Sequence, residues 1–114
     1  MATVFPYLGA ANNTINFPIQ TPATMAIATG NTIPTNLGVI RVTTAAAASG
    51  LILSPGTVQG QLFMLIGESA AANTLTFAAV GTSNVGNGVT AVLTPPAAML
   101  FVWDTGTSLW YEVF

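Results

Sequence analysis

Short apolar runs alternate with turn residues along most of this chain, and their spacing is typical of strands. Residues 37–44 (LGVIRVTT) are rich in β-branched side chains, residues 60–67 (GQLFMLIG) are apolar on both faces, and residues 74–77 (TLTF) alternate polar and apolar positions. No long segment shows helical periodicity, so the pattern predicts about eight to ten short strands. We therefore expect an all-β fold: a single β-sandwich or jelly-roll-like domain of short antiparallel strands.

The end of the chain, residues 101–114 (FVWDTGTSLWYEVF), shows the pattern of a β-hairpin. Two apolar and aromatic runs flank the segment from Asp104 to Ser108, and Gly106 can adopt a positive φ in the turn. Large apolar side chains occupy both faces of this hairpin, and a hairpin alone is only marginally stable in water. We therefore expect burial in the core or between subunits for Phe101, Trp103, Trp110, Tyr111 and Phe114.

The register of this hairpin stays open at the level of sequence. A two-residue loop at Thr105 and Gly106 places Phe101 opposite Trp110. A three-residue loop with Gly106 as a bulge places Phe101 opposite Leu109 instead. The choice matters because a slip of one residue moves every side chain of one strand to the other face.

The first part of the chain, residues 1–36, is interrupted by prolines and is rich in Thr and Asn. Proline restricts short apolar runs to sheet edges or to unpaired extended chain. Two interpretations remain: this segment supplies the first strands of the sandwich, or it is an extended N-terminal arm that packs on a partner. We divide the chain accordingly into residues 1–36 and a β-sandwich module over residues 37–114.

Charge is scarce, since only Arg41, Glu68, Asp104 and Glu112 are charged and the net charge is −2. The chain is 52% hydrophobic and 4% charged, whereas about a quarter of the residues in an average globular protein are charged. Apolar surface in this excess usually marks a partner site, so we expect an obligate oligomer. Arg41 is interpreted either as an exposed charge at a sheet edge or as the partner of one of the three acids.

The residue types that most enzymes and metal sites require are absent. The chain has no His, Cys or Lys, which removes the usual zinc ligands, the imidazole base of a serine nucleophile and the amine of a Schiff base. Asp104 and Glu112 are interpreted as turn-capping and solvated acids rather than as a glycosidase pair. We therefore expect a protein that is not an enzyme and has no catalytic residues, no cofactor and no metal site.

Two classes of partner are also disfavoured. A single cation is too few for a phosphate-binding face, so nucleic acid is not an expected partner. The glycine-rich segment 81–88 (GTSNVGNG) lacks the Lys and the following helix of a phosphate loop. No uninterrupted apolar segment reaches the ~18 residues of a transmembrane helix, so a membrane is not expected either.

Three stretches of the chain form a recognisable pattern of strand and turn residues. They are residues 39–69 (VIRVTTAAAASGLILSPGTVQGQLFMLIGES), residues 73–93 (NTLTFAAVGTSNVGNGVTAVL) and residues 101–113 (FVWDTGTSLWYEV). Together they resemble a β-rich module of tailed-bacteriophage virions that recurs in head fibre, capsid decoration (cement) and tail fibre proteins. The pattern contains no active-site motif, so the resemblance assigns no residue a chemical role.

The resemblance implies a structural virion protein. It would act as a capsid decoration (cement) protein, binding the major capsid protein on the outer capsid surface as a homotrimer and stabilising the contacts between capsomers. The N-terminal arm is then the expected capsid-binding part, because it carries aromatic residues outside any clear strand pattern: Phe5, Tyr7 and Phe17.

The alternative within the same resemblance is a receptor- or glycan-binding fibre or tail module. In that case Trp103, Trp110 and Tyr111 would stack on sugar rings at an outer surface. This alternative predicts exposed aromatic side chains, whereas the decoration protein predicts that they lie in the core or between subunits.

Overall fold

The computed structural model describes residues 23–68 and 73–113 of the chain. These residues form strands, a single-turn helix α1 (Val80–Ser83) and a 3-10 turn at Gly88–Thr90. The strands are β1 (Ala23–Ala26), β2 (Thr32–Ile33), β3 (Val39–Thr43), β4 (Ala48–Leu53), β5 (Leu62–Gly67), β6 (Leu75–Phe77), β7 (Val92–Leu93), β8 (Ala97–Asp104) and β9 (Leu109–Glu112).

The strands form two sheets, and consecutive strands of the first two-thirds alternate between them. The five-stranded sheet has the order β1-β3-β5-β8-β9, and the four-stranded sheet has the order β2-β4-β6-β7. Within them β1, β3 and β5 are parallel, as are β2, β4 and β6. Each pair β1–β2, β3–β4 and β5–β6 is therefore one coil of a short two-sided solenoid.

The predicted all-β class is confirmed, but the prediction of antiparallel strands is wrong for these coils. Only the pairs β5–β8, β6–β7 and β8–β9 are antiparallel. Parallel neighbours need a long crossover connection, and in this chain the crossover is a strand of the opposite sheet. Within the coils, each strand therefore pairs with the strand two places along the chain rather than with its immediate successor.

One core lies between the two sheets. The inward residues of the five-stranded sheet meet those of the four-stranded sheet in a single cluster of buried side chains. The largest fully buried side chains are Trp110, Phe63, Phe77 and Phe101. The Phe77 and Phe101 rings meet edge to face with centroids 5.8 Å apart, a geometry that aromatic pairs favour.

The terminal hairpin has a register that differs from both predicted ones. Trp103 lies opposite Trp110, and Phe101 lies opposite Glu112. The loop spans residues 105–108, and its left-handed residue is Ser108, with φ of 57°, rather than Gly106. Both predicted registers are wrong because they assumed that the glycine sets the turn.

Part of the segment 1–36 lies in the two sheets. Strands β1 and β2 lie within it and pair with β3 and β4, so residues 23–36 belong to the two sheets. Residues 1–22, with Phe5, Tyr7 and Phe17, lie outside the described residues. Strand β4 begins at Ala48, shortly after a bend at residues 45–46.

Candidate interaction surface

The aromatic side chains of the hairpin fall into two groups. Trp103 and Trp110 are 4% and 0% exposed, and their rings lie 5.2 Å apart. The indole Nε1 of Trp110 donates a hydrogen bond to the Ser54 carbonyl at 2.8 Å, which links β9 to the end of β4. Phe101 is also fully buried, whereas Tyr111 is 39% exposed. Phe114 lies outside the described residues.

The glycine- and asparagine-rich loop that follows α1 covers the free edge of β9. Trp110 donates its backbone N–H to the Asn84 carbonyl at 2.7 Å, and Gly86 donates to the Trp110 carbonyl at 2.7 Å. The Asn84 side chain donates to the Leu53 carbonyl at 2.8 Å. Asn84 adopts a φ of 63°, which Asn tolerates better than most residues. The loop therefore joins the two sheets.

Asp104 holds the hairpin turn. Its Oδ2 accepts the backbone N–H of Thr107 at 3.1 Å and the Thr107 hydroxyl at 2.8 Å. The side chain of Gln59 reaches the same turn, where its Oε1 accepts the N–H of Thr105 at 2.8 Å. Hydrogen bonds to the Asp104 carboxyl lower its pKa from the usual value of 3.8, because they favour the ionised form. The bond from the Thr107 side chain has the largest effect, and the bond from the Gln59 side chain has the next largest.

Acid is expected to remove the stabilising contribution of Asp104. A lowered folded pKa means that the ionised carboxylate stabilises the fold above the unfolded pKa, and that this stabilisation is lost as pH falls through the folded pKa. Wild type should therefore exceed Asp104→Asn in unfolding free energy at neutral pH, and the difference should shrink below about pH 4. Urea titrations of both proteins across this range measure it. A difference that is independent of pH would contradict the role of ionisation.

The remaining charges are engaged in polar contacts. Arg41 and Glu68 form an ion pair with an N–O distance of 3.3 Å, and their side chains are 36% and 33% exposed. Of the three acids considered for Arg41, Glu68 is thus a partner in the structure. Glu112 accepts a hydrogen bond from the Asn87 amide at 3.0 Å. In the part of the chain that the structure describes, no three His, Cys, Asp or Glu residues gather to hold a metal ion.

The outer faces of the two sheets differ in chemistry. Strand alternation points the residues that do not enter the core toward the outside. On the five-stranded sheet this outer face, hereafter the apolar face, consists mainly of Leu62, Met64, Ile66, Leu100, Val102, Leu109, Tyr111 and Val113. Val39 pairs with Met64 on the same side but is only 5% exposed. The outer face of the four-stranded sheet is smaller and mixes polar with apolar residues: Thr32, Ile52, Thr76 and Val92.

A polar cleft lies at the end of the sheets that carries the hairpin turn. Its volume is about 280 Å³, and its lining has no charged side chain: Thr35, Asn36, Ser54, Pro55, Thr57 and Gln61. Several of these groups already bond to one another. The Thr35 hydroxyl donates to the Ser54 carbonyl at 3.1 Å, and Gln61 Oε1 accepts the Thr57 N–H at 2.7 Å. The cleft therefore has few polar groups left for a ligand.

Comparison of the chain with protein-family models, with curated proteins and with solved structures gave no match. Within residues 23–68 and 73–113, no helix is long and apolar enough to cross a membrane. The functional argument for this chain therefore depends on its sequence pattern and on the surfaces described above.

Proposed function

We propose that this chain is a structural virion protein: a capsid decoration protein that binds the outer surface of a bacteriophage capsid as a homotrimer. The apolar face is the observation that carries this proposal, because an exposed apolar patch of this size often marks a partner site. The resemblance of residues 39–113 to β-rich virion modules supports the same conclusion. In this role the protein would join neighbouring subunits of the major capsid protein and stabilise the contacts between capsomers.

The proposed capsid-binding segment is the N-terminal arm, residues 1–22. Among the described strands, β1 lies at the edge of the five-stranded sheet. The aromatic residues of the arm, Phe5, Tyr7 and Phe17, have the character of binding anchors, since aromatic side chains often carry a large share of interface energy. An arm of this kind contacts the capsid while the sheets form the trimer.

Removing residues 1–17 is expected to abolish capsid binding without changing the oligomeric state. The truncated protein keeps every described strand, so it should stay folded and soluble. Co-sedimentation with capsids that lack the decoration protein measures binding, and light scattering measures mass. A second variant tests the aromatic side chains themselves: a full-length chain with Phe5, Tyr7 and Phe17 replaced by Ala should also lose capsid binding. Full occupancy by the truncated protein would show that the arm is not the capsid-binding part.

The alternative, a receptor- or glycan-binding fibre module, has one observation in its favour. The polar cleft is lined by neutral hydroxyl and amide groups rather than by charges, although several of these groups already bond to one another. However, Trp103 and Trp110 are buried and cannot stack on a sugar ring, which leaves Tyr111 alone of the three candidates at the surface. The decoration role is therefore the better supported of the two.

A further inference from the structure

We infer that the apolar face is the subunit interface of the homotrimer, with the five-stranded sheets of three copies of this chain forming the walls of a triangular prism. The inference rests on the proposed function for the trimer and adds the location and geometry of its interface. The partner that covers the face is therefore a further copy of this chain.

The apolar face is partly exposed to solvent in the single chain. Leu62, Tyr111 and Val113 are 40%, 39% and 51% exposed in the single chain. The face extends over five strands spaced about 4.8 Å apart and over five to six residues of about 3.3 Å each, so its flat area is roughly 400–500 Å². This lies within the range of the largest apolar patches on monomeric proteins, roughly 300–600 Å², and patches of that size are often functional.

The charges on the apolar face favour a copy of the same chain as the partner. Arg41 and Glu68 point to this face, because Arg41 pairs with Ile66 across β3 and β5, and Glu68 follows Ile66 by two residues. Asp104, opposite Leu109, is a further acid at the hairpin end of the face, and the middle of the face carries no charge, so a copy of the same face suits it. At the other end, Arg41 and Glu68 supply one charge of each sign. A strongly acidic or basic partner would leave one of the two charges opposed by a like charge, which is unfavourable in an interface.

The width of the face fits a three-fold arrangement. Five strands span about 24 Å, and an equilateral prism with walls of that width places each sheet about 7 Å from the axis. Two sheets that pack face to face are about 10 Å apart, so each fills about 5 Å. The side chains at the centre of each wall therefore have to fill about 7 Å in the prism, whereas those of a face-to-face dimer fill about 5 Å.

The side chains follow this requirement. The central strand β5 carries three large apolar side chains on the apolar face, Leu62, Met64 and Ile66. The edge strand β1 carries only Thr24 and Ala26 there, whereas the opposite edge strand β9 presents large side chains. In a closed ring the small edge of one subunit meets the large edge of the next, which is the heterologous contact that three-fold symmetry requires.

Substitution at the centre of the face tests the inference. Wild type should have a mass of about 35 kDa in light scattering, three times the 11.6 kDa chain. Met64→Lys should reduce this to the mass of one chain, because three ammonium groups would meet near the axis. Thr76→Lys, on the outer face of the other sheet, is the matched control and should keep the wild-type mass. Tryptophan emission reports folding, since both indoles lie on the inner side of the sheet.

A distance measurement keeps the inference testable if Met64→Lys does not fold. The chain has no Cys, so Met64→Cys and Thr76→Cys each provide a single site for a nitroxide label. Equivalent Met64 Cα atoms should be about 12 Å apart in the prism, and the label there should show strong dipolar broadening that the Thr76 label lacks. Broadening at the Thr76 label alone, or a wild-type mass of one or two chains, would overturn the inference.

Different experimental results would contradict the proposed function and the proposed interface. If wild type is a trimer that Met64→Lys dissociates but that binds no capsid, the interface stands and the decoration role is wrong. If Met64→Lys and Thr76→Lys both bind capsids as trimers, the decoration role stands and the interface is wrong.

Discussion

Replacing Trp110 by alanine is expected to lower the free energy of unfolding by about 3–5 kcal/mol. The indole is fully buried, and its ring lies 6.0 Å from that of Phe63 and 5.2 Å from that of Trp103. Truncation would leave a cavity in the core and would also remove the hydrogen bond from Nε1 to the Ser54 carbonyl. Urea unfolding at one fixed protein concentration measures the loss, since the stability of an oligomer depends on concentration.

Two further variants separate the contributions to this loss. Trp110→Phe keeps most of the apolar volume but removes the indole donor of the Ser54 carbonyl, which still accepts the Thr35 hydroxyl, so the expected loss is that of one net hydrogen bond, roughly 0.5–1.5 kcal/mol. Val89→Ala truncates a side chain that is 57% exposed, and a surface change of this kind should stay within about 0.5 kcal/mol. A Trp110→Ala loss as small as that of Val89→Ala would place the indole at the surface and would favour the glycan-binding alternative.

The sequence predicted the strands better than it predicted their partners. Alternation in residues 74–77 and the apolar run in residues 60–67 correspond to β6 and β5 in the structure. Alternation shows which side chains point the same way, but it is the same for parallel and antiparallel neighbours. The parallel coils could not be predicted because each strand pairs with one two places along the chain, and no turn residue marks that pairing.

The hairpin shows a second limit of sequence pattern. Gly106 suggested a tight turn, but the Asp104 carboxylate bonds Thr107 instead and Ser108 adopts the left-handed conformation. Asp and Thr commonly make such local side-chain contacts, and Asp-Thr-Gly-Thr could have suggested this turn. The loop at Asn84 gave no comparable signal, because its partners Leu53 and Trp110 are distant in the sequence.

The sequence alone also does not show that the residues of the apolar face form one continuous surface. Leu62, Leu100 and Tyr111 come from three separate strands, and only the neighbourhood of β5, β8 and β9 brings them together. The shortage of charge predicted that some surface would be covered, and the pairing of strands shows which surface is available. The aromatic residues of the hairpin belong mostly to the opposite, inner side of that sheet, so they support the interface from beneath rather than forming it.

Gly56→Ala is expected to destabilise the protein by about 3 kcal/mol, at the upper end of the usual cost of overpacking. A Cβ at this position would lie 2.3 Å from Cγ and 2.5 Å from Cδ2 of Trp103. The Trp103 ring is 4% exposed and packs on Trp110, so it has no room to move away. The loop before β5 would have to shift instead, which would strain the bond between Ser54 and Trp110. Thermal and urea unfolding measure the change.

A double-mutant cycle tests the cause of this loss. Gly81→Ala is the matched control, because no atom lies within 4 Å of the added Cβ, and it should not destabilise the protein. In a Trp103→Leu background the smaller side chain leaves room beside Gly56, so Gly56→Ala should cost at least 1 kcal/mol less than in wild type, which is a typical coupling for residues in contact. An equal cost in both backgrounds would show that the glycine is needed for its backbone conformation and not for the close approach of the indole. Coupling between the two positions would instead show that the close approach of Gly56 to the Trp103 ring helps to fix the loop to the terminal hairpin, together with the hydrogen bonds from Thr105 to Gln59 and from Trp110 to Ser54.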